Sequence, residues 1–194
     1  IAIGDGNDGL FDEEPSADMV PVLNLFNEFH AKQSSRKTRA SKRSMAAAGK
    51  FVGSKPAYGY CIDPADKHHL LIDSDAAKIV QLIFQYAFDG LGYKAIAKRL
   101  RDAKILTPSA YAEYSESQSF NEIWCDWHPS SVKTILTNPT YLGKIVSGRR
   151  KVQSFKCKDI VSVPEEDWIV VDDMHEQIID QLTWDTAQER LKSR

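Results

Sequence analysis

Trp127-His128-Pro129-Ser130-Ser131-Val132-Lys133-Thr134-Ile135-Leu136-Thr137-Asn138-Pro139-Thr140-Tyr141-Leu142-Gly143 carries two backbone periods in one run. Pro129 suits the first position of a helix, where its missing N–H costs nothing. Val132, Ile135 and Leu136 then fall on one helical face and point inward. That leaves Ser130, Ser131, Lys133 and Thr134 outward near the helix N-terminus, and Asn138-Pro139 stops the helix. From Tyr141 the period becomes two, so 141–150 and 160–171 read as strands, with the basic cluster Arg149-Arg150-Lys151 at the hairpin end. Helices that feed a small antiparallel sheet set the class as α+β.

Working outward, Asp73-Ser74-Asp75 offers N-caps for a helix carrying Ile79, Leu82, Ile83, Tyr86 and Phe88, stopped at Gly90. Gly92 opens a second helix over 93–103, with Ile96, Ala97 and Leu100 inward and Lys94, Lys98, Arg99 and Arg101 outward. Helices 93–103 and 129–137 have the character of a helix-turn-helix with an unusually long connection. The polar stretch 107–122 within that connection reads as an excursion from the compact body. Short polar donors with one cation suit a reading head for a DNA major groove. The plainer alternative is a three-helix core with no DNA role. Trp124 and Trp127 read as core packing rather than base-stacking platforms. After the sheet, 177–194 returns to helix, with Ile178, Leu182, Trp184, Ala187 and Leu191 available for packing.

Upstream, no glycine falls between Gly9 and Gly49, and the only proline there before residue 21 is Pro15. A helix from Pro15 to the cap at Gly49 would have about 34 residues and run roughly 50 Å. Its first half is apolar at Met19, Val22, Leu23, Phe26 and Phe29, a stripe that must pack on something. Its second half has almost no apolar face. The net charge of −2 hides a strong asymmetry. Residues 1–28 hold seven acids and no base, whereas 29–62 hold eight bases and no acid. Those bases are Lys32, Arg36, Lys37, Arg39, Lys42, Arg43, Lys50 and Lys55. An exposed charged helix held by its own ion pairs needs interspersed acids, and here there are none. Each base can neutralise a phosphate instead, which points to a nucleic acid. Lys50 to Lys55, small, basic and extended, has a composition able to lie in a minor groove, or to serve as a plain linker.

Catalytic chemistry is not evident. His30, His68, His69, His128 and His175 show no metal-ligand spacing, and His68-His69 reads as a surface pair in a polar turn. Glu165-Glu166-Asp167 and Asp172-Asp173 read as solvated loops. Gly4 to Gly9 lacks the Lys-Ser/Thr of a phosphate loop. Cys61, Cys125 and Cys157 form no Cys-x-x-Cys pair, which argues against a disulfide framework or an internal zinc site and for a reducing, cytoplasmic compartment. No apolar run is long enough to span a bilayer. The start at Ile1-Ala2-Ile3 rather than Met reads as a piece of something longer, these residues ending a strand whose partners lie upstream.

Gly49-Lys50-x-x-Gly53-x-x-Pro56-x-Tyr58-Gly59-Tyr60, Ala76-x-x-Ile79-Val80-x-x-Ile83-Phe84, Ile96-Ala97-x-x-Leu100 and Trp127-x-x-Ser130-x-Val132-x-x-Ile135-Leu136-x-Asn138-Pro139-x-Tyr141-x-Gly143 occur in that order. Together they resemble the recombinase domain of large serine recombinases, the phage integrases and mobile-element transposases of the resolvase/invertase group. The flanks resemble the same proteins. Ile1 to Gly6 looks like the closing strand of the catalytic domain. Asn27-Glu28 with Ser35-Arg36-Lys37 and Arg39 looks like the long helix after it, which in the family packs on another subunit and then crosses the DNA backbone. Ile178-Ile179-Asp180 with Trp184, Gln188 and Leu191 looks like the approach to a zinc ribbon.

The resemblance implies a division into 1–14 (end of the catalytic domain), 15–48 (connecting helix), 49–175 (DNA-binding domain) and 176–194 (helix towards the ribbon). It implies a mainly helical, helix-turn-helix-like DNA-binding domain with a small antiparallel sheet. The expected DNA contacts are Arg36, Lys37, Arg39, Lys42, Arg43, Lys50, Lys55, Ser130, Ser131, Lys133, Thr134, Arg149, Arg150 and Lys151. For the parent, a bacterial or phage-encoded cytoplasmic enzyme, it implies a phosphoserine link to DNA, a dimer on double-stranded DNA and a tetramer at synapsis. The parent would carry a structural zinc downstream; no cofactor or metal is expected in these residues. The Tyr-x-Arg-x-Ser nucleophile motif is absent, so the chain is expected to bind DNA but not to recombine it alone. The rival readings are a helix-turn-helix transcriptional regulator and an oligomerisation module; like charges along a coiled-coil seam disfavour the latter.

Overall fold

The computed structural model describes residues 19–113, 122–152 and 159–193. The strand expected at Ile1, the glycine-rich loop, Pro15, the hairpin tip with Cys157, and Arg194 lie outside the described residues.

The first element is the long helix, α1 (Val20–Ala47). Its end is a Schellman motif: the Gly49 N–H donates to Ala46 O and the Lys50 N–H to Met45 O, each at 3.0 Å. Gly49 adopts φ +72°, and a Cβ there would collide with the Met174 side chain. The cap therefore docks the helix end on the body as well as stopping it.

A hairpin follows that the sequence did not announce: β1 (Tyr60–Ile62) pairs antiparallel with β2 (Leu70–Ile72). The turn between them is fastened by His68, whose Nδ1 lies 2.8 Å from Phe51 O, and by His69, 3.5 Å from the Asp63 carboxylate. The His68-His69 pair is thus half-buried and engaged, not simply surface.

The core is built by α2 (Ser74–Phe88), α3 (Tyr93–Asp102), α5 (Pro129–Leu136) and α6 (Gln181–Lys192). Asp73 caps α2 by accepting from Asp75 and Ala76 N–H. The deepest face of α2 is Val80, Ile83, Phe84 and Ala87; Ile79, Leu82, Tyr86 and Phe88 lie on its half-buried flank. Ile96 and Leu100 of α3, with Val132 and Leu136 of α5, are also fully buried. Such side chains each stabilise by about 1.5–3 kcal/mol on leaving water. Trp127 sits at 0% exposure with its indole N–H donating to Ile105 O at 2.9 Å, a core residue as expected.

Of the excursion expected over 107–122, residues 114–121 lie outside the described residues, and the part before them is ordered against the body. Residues 108–113 form α4 (Pro108–Glu113), pinned by the Tyr111 hydroxyl, which donates to the Asp73 carboxylate at 3.0 Å. Tyr111 also meets the Tyr58 ring edge-on at 5.6 Å. Burial, then the Asp73 carboxylate, pushes its hydroxyl up to about 12.

The strands expected over 141–150 and 160–171 are each broken. Tyr141 and Leu142 belong to a 3-10 turn, Pro139–Leu142, because Asn138 Oδ1 caps it. Then come β3 (Ile145–Ser147), β4 (Arg150–Val152), β5 (Ile160–Ser162) and β6 (Ile169–Val171), with β3 on β6 and β4 on β5, all antiparallel. Gly148 at φ +83° breaks one arm, and a 3-10 turn at Glu165–Asp167 breaks the other. The hairpin is thereby bent into two short ladders.

In α6, capped by Asp180, Ala187 is buried and Trp184 stacks tilted on Phe84 at 5.6 Å. Gln188 reaches Leu136 O at 2.6 Å, so α6 shares the core of the helices before it. Leu182, expected to pack, is instead 75% exposed. Ile178 and Ile179, expected inside the helix, are buried just ahead of it.

Candidate nucleic-acid interface

On α1, Arg39, Lys42, Arg43 and Ala46 fall at helical spacings that share a face. Ala46 is buried against the body, so the three bases above it overlook the bent hairpin. There they line a cleft of about 480 Å³ whose opposite wall includes Ser147, Gly148, Arg150 and Lys151. Bases from α1 and from β4, about 110 residues apart in sequence, converge on one concavity, where Asp167 is the one acid among the described residues lining it. Among the described residues no carboxylate comes within ion-pair distance of Arg39, Lys42, Arg43, Arg150 or Lys151. Unpaired cations with focused potential suit a polyanion.

A second cleft, of about 380 Å³, adjoins the first through Val52, Ser147 and Gly148. Its walls are the segment after α1, including Lys55, and the turn after α5, including Asn138 and Thr140. The segment is anchored by the Phe51 N–H, which donates to His68 O at 2.9 Å, while Gly53, Ser54 and Lys55 stay exposed. The two clefts thus form one path from the distal half of α1 to the end of α5.

The remaining expected site residues sort by place. Arg36 and Lys37 are exposed on α1 one turn before the cleft, and Lys50 is exposed beside its cap. On α5, Ser130, Lys133 and Thr134 are exposed and Ser131 is half-buried. Several of their hydroxyls are locally engaged: Thr134 donates to Ser130 O at 2.9 Å, and Ser130 Oγ lies 2.7 Å from His128 Nδ1. His128 also caps the helix, accepting from the Ser130 N–H. Lys133 is the cation on this face.

Arg149 departs from the expectation of an exposed hairpin-end cluster. It is half-buried at the Gly148 bend, where its Nη2 donates to Asn138 Oδ1 at 2.6 Å and its guanidinium stacks 5.0 Å from the Trp168 ring. Burial lowers its affinity for a proton, and Glu165 partly opposes this. Arg150 and Lys151 lie in β4 rather than at a turn, both exposed. Asn138 and Trp168 escaped the sequence reading: Asn138 looked like a helix stop, and nothing in the pattern singled out Trp168.

Among the described residues no group of three or more His, Cys, Asp or Glu is placed to hold a metal ion, and no helix is long and apolar enough to cross a membrane. Neither Cys61 nor Cys125 is in a disulfide among the described residues.

The fold is similar to a chain in a crystal structure of an LSR–DNA complex, with a TM-score of 0.52, 16% identity, and coverage of 81% of this chain and 42% of that one. It is similar also to a chain solved in work on the sequence requirements of the Listeria innocua prophage attP site, with a TM-score of 0.50, 18% identity, and coverage of 81% and 52%. The chain therefore spans about half the length of these solved chains. The family model described as Recombinase matches residues 74–194, from the start of α2 through α6. That match covers well over half of the sequence, and the chain belongs to the Recombinase family.

Proposed function

We propose that this chain is the DNA-binding part of a site-specific serine recombinase, holding double-stranded DNA along the path that joins the basic cleft to α5. The observation that carries the reading is the convergence of Arg39, Lys42 and Arg43 with Arg150 and Lys151 around one cleft. Phosphates of one strand would lie against these cations, with Arg36 and Lys37 extending the track along α1. Lys50 and Lys55 flank the extended segment and would follow the backbone into a minor groove. Ser130, Ser131, Lys133 and Thr134 on α5 would face base edges of the adjoining major groove. Lys133 is the donor best placed to read them, since Thr134 and Ser130 already have local partners.

In the parent, an upstream serine would attack a DNA phosphate to form the phosphoserine link, with dimers on each site meeting as a tetramer. A zinc ribbon would follow α6, and the enzyme would work in the cytoplasm. A coding frame upstream of Ile1 that contains a Tyr-x-Arg-x-Ser stretch supports this parent; a complete frame without one contradicts it.

The binding role is tested by fluorescence anisotropy on a labelled 30-base-pair duplex at about 50 and about 200 mM salt. With six or more phosphate contacts, affinity should fall by about 10³-fold or more between them. Weak binding at low salt, or binding indifferent to salt, contradicts the proposal.

A further inference from the structure

Arg149 and Arg150 are neighbours with opposite fates. Arg150 is exposed at the basic cleft, while Arg149 is half-buried in the wall of the adjoining one. Arg149 bridges two parts of the fold. Its backbone carbonyl accepts from the Val163 N–H at 2.9 Å, and Val163 O in turn accepts from the Trp168 indole at 2.8 Å. Its side-chain Nη2 bonds Asn138 Oδ1. Asn138 is the residue that caps the turn directly after α5, also accepting from the Thr140 hydroxyl at 3.0 Å. The guanidinium lies over Trp168, and its Nε is shielded from solvent with no partner among the described residues.

A guanidinium held this way is fixed in place, with one N–H committed to Asn138 and one face to Trp168. Removing a cation from water is costly, and only a specific, well-formed contact offsets it. The contact made here runs from the strand bend that carries Arg150 and Lys151 to the end of the helix that carries Ser130, Lys133 and Thr134.

We propose that Arg149 is a positioning residue that sets the placement of the α5 reading face relative to the basic cleft, and not itself a contact to DNA. This rests on the DNA-binding reading above. Its loss should leave the electrostatic grip intact while blurring discrimination between sequences. Lysine should not replace it, because an ammonium lacks the planar fork that both bonds Asn138 and stacks on Trp168.

The test uses the full 194-residue chain. Duplexes enriched by the wild type from a randomised 30-base-pair pool are compared with one unselected duplex by anisotropy across a salt series. For Arg149→Gln we expect an unchanged salt slope on the unselected duplex and a selected-to-unselected affinity ratio lowered tenfold or more. Arg149→Lys should show the same loss. Arg150→Gln should reduce the slope by about 0.9, the value of one phosphate contact, and keep the ratio. If Arg149→Gln fails to fold by circular dichroism, Trp168→Leu carries the same expectation with Arg149 still present. A slope reduced by Arg149→Gln and restored by Arg149→Lys would identify a phosphate contact and overturn the proposal. So would an unchanged ratio. Wild-type protein that shows no salt-dependent binding removes the DNA reading itself, which is a different failure.

Discussion

Two helical regions of this molecule are held in opposite ways. In the body, α2, α3, α5 and α6 bury one another so completely that Phe84, Ile96, Val132 and Trp127 have no exposed surface. In α1, the first half presents Val22, Leu25, Phe26 and Phe29 at 59% exposure or more. Both regions carry an apolar stripe, but only that of the body is packed among the described residues. Among the described residues α1 is fastened near its far end, by the Gly49 cap against Met174 and by its contacts with β3 and β6. A helix tethered at one end and basic along its free distal face is arranged to lie on something else, while the body is arranged to keep its shape. In the proposed reading the division of labour is between a surface that would follow the DNA backbone and a scaffold that would hold α5 against the bases.

The contrast can be broken most severely at Trp127. Trp127→Ala should cost about 3–5 kcal/mol in urea unfolding followed by circular dichroism, enough to unfold much of the body. A loss below about 1 kcal/mol would mean that the core is not centred there.

A smaller cost is expected at the joint between the turn after α5 and the 172–178 loop. Gly143 sits at φ +80°, and a Cβ would come 2.8 Å from His175 O. Gly143→Ala should destabilise by about 1–3 kcal/mol in the same assay. Gly148→Ala, equally left-handed but with nothing closer than 3.9 Å, should cost less.

The same joint should make the body sensitive to pH. His175 is buried edge-on against Tyr60 at 4.7 Å, and its Nε2 lies 2.9 Å from Thr140 O. Burial lowers its affinity for a proton, opposed by the Thr140 contact and helped by His69. The unfolded chain therefore binds this proton more readily, so the contribution is complete above the ordinary value of 6.5 and is lost as pH falls from there through the lower folded value. The urea midpoint of the wild type should drop between pH ~7.5 and ~5.5 by more than that of His175→Gln. Equal drops in both would show that other groups set the dependence.

The smallest effect should come from α1. Phe26→Ser and Phe29→Ser should each change the stability of the body by no more than about 0.5 kcal/mol. A larger change would mean that the stripe packs on the body after all.

Much of this was legible beforehand, for reasons that differ by element. The helix from Pro129 to Leu136 was readable because cap, stop and inward triplet agree locally. The end of α1 at Gly49 was readable because only a left-handed residue completes that cap. The cleft was not, because Arg43 and Arg150 meet only through the antiparallel return of β6 against β3 and the docking of Ala46. Period-two reading saw one long hairpin and missed the Gly148 bend, since Gly148 interrupts pairing without interrupting the apolar alternation. The half-burial of Arg149 was hidden for the same reason: three consecutive bases look equivalent in sequence, but the one at the bend lies against Trp168. β1 and β2, three residues each, are too short for periodicity to register.

The central claim is that bases from α1 and from β4 grip one phosphate track. It is tested most directly by two variants on the same duplex, Arg39/Lys42/Arg43→Gln and Arg150/Lys151→Gln, through the slope of log affinity against log salt. Each neutralised contact should remove about 0.9 from the slope, so both variants should bind with flatter slopes than the wild type and the combined variant with the flattest. A slope left unchanged by either set would contradict the claim, because that wall of the cleft would then not be touching DNA.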